Sequence, residues 1–251
     1  MKKTMSLAGL VLLGAAGGAA APDRPPERPA TYVFVHGAWG GSWDWKKVAA
    51  LLAARGHGVS RVQLTGLGER VHLASPDIGL STHIADVVNT IVWDDLRDVI
   101  LVGHSYGGMV ITGAADRVPA RIRHLVYIDA MLPKDGESVL DLMPATRAMV
   151  DQNKRTGLIL PPWVKPDARP PHDVAQPVKT FTEKIALTSE AARGLPATYI
   201  LTVEAGHTRD DFDPFAERAR ELGFTVKKMT ADHVPERSAP DALVELLRAI
   251  P

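Results

Sequence analysis

The stretch Val99-Ile100-Leu101-Val102-Gly103-His104-Ser105-Tyr106-Gly107-Gly108 constrains the fold of this chain more than any other. An apolar, β-branched run ends in a serine with a glycine two residues away on each side. A small-residue helical stretch, Met109-Val110-Ile111-Thr112-Gly113-Ala114-Ala115, follows. That order reads as a strand, a sharp turn and a helix packed back against the strand. A serine at the apex of such a turn is held in a strained conformation with its hydroxyl above the sheet. Gly103 and Gly107 are required because a β-carbon at either would collide with passing backbone. The Tyr106 amide then sits at a helix N-terminus, where it points toward a place where negative charge can develop.

From residue 31 onward β-rich and helical patterns alternate with short turns, which argues for crossover units and a parallel sheet. The candidate strands are 32–35, 59–64, 99–102, 125–128, 199–203 and 225–229. The candidate helices are 43–55, 83–92, 107–117, 213–222 and 241–250. The expected fold is therefore α/β: a mostly parallel sheet of about six strands flanked by helices, in one domain over residues 31–251. One segment breaks the alternation. Residues 131–188 carry no clear strand and eight prolines, and an insertion of this length between two strands is usually functional. It is expected to be a cap, with 137–150 its strongest helical pattern, because Leu158-Ile159-Leu160 and Trp163 are costly to leave in water.

The first residues form a separate object. Lys2-Lys3, an apolar segment from Met5 to Leu13 and the small-residue run Gly18-Ala19-Ala20-Ala21 match a secretory leader over 1–21, too short and glycine-thinned for a permanent anchor. Residues 22–30 read as a proline-rich spacer. The expected location is secreted or periplasmic. Twenty-nine basic and 29 acidic residues balance, so no electrostatic nucleic-acid or membrane partner is expected. With no cysteine, disulfides, thiolate catalysis, zinc-cysteine sites and a lipid-modified cysteine are excluded. No metal or other cofactor is expected, and the oligomeric state is left open.

A serine hydroxyl is a weak nucleophile at neutral pH, so Ser105 needs a histidine to take its proton and an acid to orient that histidine. Of nine histidines, His233 in Thr230-Ala231-Asp232-His233 follows the last candidate strand and precedes the last helix, where the order serine, acid, histidine places the base. The loop after the first strand, Val35-His36-Gly37-Ala38-Trp39-Gly40-Gly41, can fold under a substrate oxygen. Its Ala38 amide would then join that of Tyr106 in an oxyanion hole. Trp39, Trp43 and Trp45 read equally as pocket wall or as core.

These features together resemble an α/β-hydrolase, close to the branch of plant methylesterases, hydroxynitrile lyases and related bacterial carboxylesterases. The loop His36-Gly37-Ala38-Trp39-Gly40-Gly41-Ser42-Trp43, the 103–108 turn and Ala231-Asp232-His233 carry the resemblance. It implies cofactor-free ester hydrolysis. For the lyase variant it implies a threonine and a lysine where this chain has Gly37 and Val234, so hydrolysis is favoured. Methylesterase-like relatives carry the acid after the 199–203 strand, where the matching register gives Ala205 with Glu204 beside it. The superfamily's other placement, at the end of the preceding strand, gives Asp129, which is preferred, with Glu204 as the alternative. The expected reaction is cleavage of an uncharged, fairly hydrophobic ester or lactone through an acyl-enzyme. Trp39, Met131, Leu132 and Trp163 lead the expected pocket lining, together with Leu140, Met143, Leu160 and Phe181. A ligand-binding protein on the same scaffold, or carbon-carbon bond hydrolysis or cofactor-free peroxide chemistry at the same triad, are the alternatives.

Overall fold

A computed structural model describes residues 28–251. The expected leader (1–21) and most of the expected spacer (22–30) lie outside the described residues. Among the described residues eight strands form: β1 (Thr31–Val35), β2 (Gly58–Val62), β3 (Val99–His104), β4 (Ile122–Ile128), β5 (Leu158–Ile159), β6 (Gln176–Pro177), β7 (Ala197–Val203) and β8 (Thr225–Thr230). Six of them make one sheet in the order β2-β1-β3-β4-β7-β8, with every neighbouring pair parallel.

Strand alternation explains the layers. In β1, Tyr32 and Phe34 face one side and Val33 and Val35 the other, and all four are fully buried. The first face packs with Trp45, Val48, Leu52, Leu243, Val244 and Leu247. Those residues lie on or beside α1 (Lys46–Ala53) and on the C-terminal helix Pro240–Arg248. The second face packs beneath α2 (Leu80–Trp93) and α3 (Gly107–Arg117), through Ile84, Val87, Met109, Val110 and Ala114. Central strands covered on both faces read as continuous apolar runs, as β3 does.

The order reverses between β1 and β3: the chain leaves β1 toward β2, and β3 returns on the opposite side toward β4. In an open parallel sheet the crevice beyond the carboxyl ends at such a point is where ligands bind. Here it receives the 36–41 loop and Ser105.

The insertion is folded. It holds α4 (Val139–Leu142), α5 (Arg147–Asn153), the antiparallel β5–β6 ribbon and α6 (Lys179–Thr182). Two expectations are corrected here. The single helix over 137–150 is broken by a 3-10 turn at Pro144–Thr146, because proline lacks the amide and forces Met143 out of the helical region (φ −127°, ψ 72°). The segment also contains a short ribbon where no strand was expected. Ile159 is buried, yet Leu160 and Trp163 remain 69% and 57% exposed. After α7 (Glu190–Arg193) the chain returns to the sheet, and α8 (Asp213–Glu221), α9 (Pro235–Ser238) and α10 (Pro240–Arg248) complete it. Among the described residues no helix is long and apolar enough to cross a membrane.

Candidate active site

Ser105 stands at the apex between β3 and α3 with φ +52°, the strained conformation expected from its flanking glycines. A β-carbon on Gly103 would lie 2.7 Å from the Gly107 carbonyl oxygen, and one on Gly107 would lie 2.8 Å from that of Val35. Both glycines are therefore fixed by backbone passing close by. The apex is locked to its neighbours: Ser105 N–H donates to the Ile128 carbonyl (3.2 Å), and the Ser105 carbonyl accepts from Met131 N–H (3.1 Å).

Asp129 ends β4 one strand away, also at positive φ (+43°), with its own N–H donating to the Ile200 carbonyl at 2.8 Å. Its carboxylate is completely buried. Oδ1 accepts Thr202 N–H at 3.2 Å, and Oδ2 lies 2.6 Å from His233 Nδ1. His233 Nε2 in turn lies 3.0 Å from Ser105 Oγ. The His233 ring is stacked on Phe212 (centroids 4.8 Å apart, planes at 23°). An acid, an imidazole and a hydroxyl thus form one unbroken chain of contacts. A carboxylate on Nδ1 holds the hydrogen there and leaves Nε2 free to take one from the serine. Glu204, the alternative acid, is exposed and lines a separate basin of about 620 Å3 with His207 and Lys228.

The loop after β1 approaches the same hydroxyl. Among the described residues neither the Ala38 nor the Tyr106 amide donates to a protein acceptor. The next peptide is pinned: Trp39, at φ +61°, donates its N–H to Gln176 Oε1 (3.0 Å) and accepts Val174 N–H at its carbonyl (2.8 Å). Its indole N–H donates to the Ile159 carbonyl (3.1 Å). A β-carbon at Gly37 would meet His104 Nδ1 at 3.0 Å and Ser105 Cβ at 3.2 Å, so a side chain there needs these neighbours to give by a few tenths of an ångström. His36 Nδ1–H donates to the Gly37 carbonyl while Nε2 accepts Leu64 N–H. Burial first of all holds its pKa down, to about 4, so the ring is neutral.

A cavity of about 300 Å3 opens over Ser105. Gly37, Ala38, Trp39, Trp163, His233 and Val234 line part of it, with Trp163 edge-on to Trp39 (5.2 Å). The sequence reading missed its other wall, made by Asp44, Asp173 and Arg237. Arg237 donates to Asp44 Oδ1 (2.6 Å) and Asp173 Oδ1 (3.0 Å), and its guanidinium lies 4.3 Å from the Trp43 ring centroid. Asp173 Oδ2 also accepts the Trp163 indole N–H at 2.7 Å. Burial raises Asp44 to about 6 despite Arg237.

Six expected lining residues do not line this cavity. Met131 and Leu132 are buried away from the cavity, because the chain after Asp129 turns under Ser105, where Met131 N–H bonds the serine carbonyl. Leu132 lines a different groove, and Leu140, Met143, Leu160 and Phe181 are not in the Ser105 cavity either. Phe181 instead packs beneath Trp39 and Tyr106. Of the three tryptophans, Trp39 is pocket wall, Trp43 carries Arg237, and Trp45 is core, stacked on Phe34. The sequence reading also passed over His104 and Glu236, which lie buried behind His233 with Nδ1 and Oε1 3.0 Å apart. The signal available was the charge at Glu236 and Arg237, inside a short segment leading into an apolar helix. No group of three potential metal ligands occurs among the described residues.

A parallel sheet with a serine at a strand-to-helix apex, joined through histidine to an acid ending the next strand, defines the α/β-hydrolase class. The chain belongs to the alpha/beta hydrolase family, which is matched over residues 32–246. It is 52% identical over 115 residues to a carbendazim hydrolyzing esterase of Nocardioides sp. (strain SG-4G), covering 46% of this chain and 48% of that protein. It is 36% identical over 114 residues to methylesterase 3 of Arabidopsis thaliana, covering 45% and 43%. The matches thus span about half the length of these curated relatives. Among solved structures, it is similar to an extracellular α/β-hydrolase from a Paenibacillus species described as sharing structural and functional homology to Tobacco Salicylic Acid Binding Protein 2. That likeness has a TM-score of 0.74 at 25% identity and covers 87% of this chain and 98% of the other.

Proposed function

We propose that the chain is a serine carboxylic ester hydrolase. The observation that carries this reading is the continuous path from Asp129 Oδ2 through His233 to Ser105 Oγ, at 2.6 and 3.0 Å. Ser105 Oγ attacks the ester carbonyl carbon and its proton passes to His233 Nε2. The carbonyl π electrons move to oxygen, which the Ala38 and Tyr106 amides receive. As the tetrahedral species collapses, the bond to the alkoxy oxygen breaks and His233 returns the proton to the departing alcohol. Water, deprotonated by the same imidazole, then cleaves the acyl-serine, releases the acid and restores Ser105. Asp129 holds the productive tautomer and stabilises the imidazolium.

The substrate is a small neutral ester or lactone. A cavity of about 300 Å3 is at the lower end for ligand sites. Trp39 and Trp163 offer apolar contact, while Arg237 in the lining is already shared between two carboxylates, which disfavours an anionic substrate. Carbendazim belongs in the substrate panel because the first relative is named for hydrolysing it. Gly37 and Val234, standing where the lyase variant is expected to carry a threonine and a lysine, support hydrolysis over the lyase variant.

The test is turnover of p-nitrophenyl acetate, butyrate and octanoate, with fluorophosphonate labelling, by the wild type and Ser105→Ala. Expected are labelling at Ser105, preference for the two short chains, and a fall of about six orders of magnitude in Ser105→Ala, as when a serine hydrolase loses its nucleophile. Retention of most activity by Ser105→Ala would overturn the mechanism. The leader-like start supports action outside the cytoplasm. N-terminal sequencing of protein recovered from medium or periplasm would show residues 1–21 removed.

A further inference from the structure

His104 and Glu236 have no part in the mechanism above, yet they occupy the space directly behind its base. His104 is the last residue of β3, adjoining Ser105, and is 4% exposed; Glu236 lies on α9, three residues after His233, and is fully buried. His104 Nε2 is 2.6 Å from the His233 carbonyl oxygen, and its Nδ1 is 3.0 Å from Glu236 Oε1. Among the described residues neither Glu236 carboxyl oxygen has a hydrogen-bond partner, so its approach to His104 Nδ1 is an ionic contact rather than an aligned hydrogen bond. A buried carboxyl with a single neighbour is costly to keep unless that neighbour matters.

The hydrogens follow from the partners. A carbonyl only accepts, so His104 Nε2 carries a hydrogen and donates it to His233. The 3.0 Å approach of Nδ1 to Oε1 calls for a further proton on the pair, since a bare ring nitrogen facing a bare carboxylate would be repulsive. Burial on its own would lower the His104 pKa. Glu236 and the His233 carbonyl, with Asp129 assisting, outweigh it and raise the pKa. His233, whose ring centroid lies 4.8 Å from that of His104, His36, itself neutral, and Asp44, which feels Glu236, also face the pair.

We propose that His104, oriented by Glu236, is a positioning residue: its Nε2–H holds the His233 main chain at the distance from Ser105 that proton transfer needs. The bond joins the strand bearing the nucleophile to the loop bearing the base, where the His104 and His233 rings also pack with centroids 4.8 Å apart. His233 lies on a loop between β8 and α9, whose flanks are tied locally by Val234 N–H and Ser238 Oγ to Asp232 Oδ1. His104 ties that loop to the strand bearing the nucleophile, and its ring also packs against the oxyanion loop at Gly37. One side chain thus sets base, nucleophile and oxyanion donors in register. A displacement of about 1 Å at such a point is worth up to about a hundredfold in rate.

The proposal rests on the ester-hydrolase reading for its kinetic test but not for its spectroscopic one. Because His104→Phe alone would strand the Glu236 carboxyl in the interior, it is made together with Glu236→Leu. Replacing a buried ionic pair by apolar groups commonly leaves stability unchanged or raised. The expected result is a melting temperature no lower than wild type, KM for p-nitrophenyl acetate within about twofold, and kcat per folded protein down about 10–100-fold. His104→Gln places an amide N–H near the Nε2 position and should recover kcat to within about fivefold of wild type. Proton NMR of the wild type should show a slowly exchanging downfield imidazole signal that the double variant lacks. A folded double variant with wild-type kcat overturns the proposal, as does the absence of rescue by His104→Gln. If the wild type neither turns over esters nor labels with fluorophosphonate, the hydrolase reading fails. The pair then stands or falls on the spectrum: its downfield signal supports the pair, and its absence overturns it.

Discussion

Replacing Asp129 by asparagine changes one atom and one charge, and the surroundings decide which way the new amide turns. Oδ1 accepts the buried Thr202 N–H, so the asparagine oxygen is required on that side. Turning it the other way sets donor against donor and leaves the Thr202 amide unpaired, at a cost of about 1–3 kcal/mol. The NH2 group therefore faces His233 Nδ1 and donates to it. The imidazole hydrogen is then forced to Nε2, against Ser105 Oγ, where it blocks proton abstraction. The population of the productive tautomer falls by about one to two orders of magnitude from this term, taking 1.4 kcal/mol per tenfold. Loss of the negative charge beside the imidazolium removes more, and the total should approach the roughly 10⁴-fold seen for the equivalent change in a serine protease. The assay is p-nitrophenyl acetate hydrolysis per folded protein, with circular dichroism and a urea midpoint to show that the variant is native. Glu204→Gln, on the exposed rim of another basin, should stay within about twofold of wild type, as surface substitutions away from a site generally do. An Asp129→Asn enzyme with more than a tenth of wild-type turnover would refute the reasoning and reduce Asp129 to an acceptor for Thr202.

Two further outcomes follow from the same contacts. Trp163→Ala removes an edge-on aromatic partner of Trp39 worth about 0.5–1.5 kcal/mol, so KM for p-nitrophenyl butyrate should rise about two- to tenfold with kcat nearly unchanged. A fall in kcat alone would contradict the assignment as binding wall. On acidification, His36 and His83, held neutral with pKa values of about 4 chiefly by burial, bind protons more readily when unfolded. Stability is therefore lost as pH falls from about 6.5 toward 4, by at most about 3 kcal/mol for each. Asp44, raised to about 6 chiefly by burial, contributes the opposite slope between about 4 and 6. Asp44→Asn should consequently steepen the acid loss measured by urea melts from pH 4 to 7, and an unchanged slope would contradict the buried-acid account.

The sheet was legible because each central strand is buried on both faces and reads as an unbroken apolar run, as in 99–102. The serine apex was legible because close backbone contacts at Gly103 and Gly107 leave no alternative residue, which makes the turn a local signal. Asp129 was readable only as a position, the residue ending a strand. That its partner is His233, 104 residues later, depends on β4 and β8 being held in one sheet by β7. The polar wall was not legible, since Asp44, Asp173 and Arg237 come from three distant segments and each looks like an ordinary surface charge. His104 was taken as part of the turn, and nothing in local sequence relates it to Glu236. The pocket lining was misread at Met131 and Leu132 because apolar residues after a catalytic strand suit a pocket and a core equally. Only the Met131 amide, drawn under the Ser105 carbonyl, decides between them.

The same distant contacts bind the insertion to the proposed active site. The Trp39 peptide follows Ala38, the proposed oxyanion donor, and its conformation at φ +61° is held by Gln176, Val174 and Ile159, all within the insertion. Across the cavity Asp173, again from the insertion, bonds Arg237, four residues beyond His233. Moving the insertion away would break bonds on both sides of Ser105 at once, releasing the loop of the proposed oxyanion donor and loosening the segment that follows His233. Substrate enclosure and assembly of the reacting groups therefore draw on the same set of hydrogen bonds. A substrate that holds the insertion closed gains transition-state stabilisation along with affinity, so its fit in the cavity should appear in kcat as well as in KM.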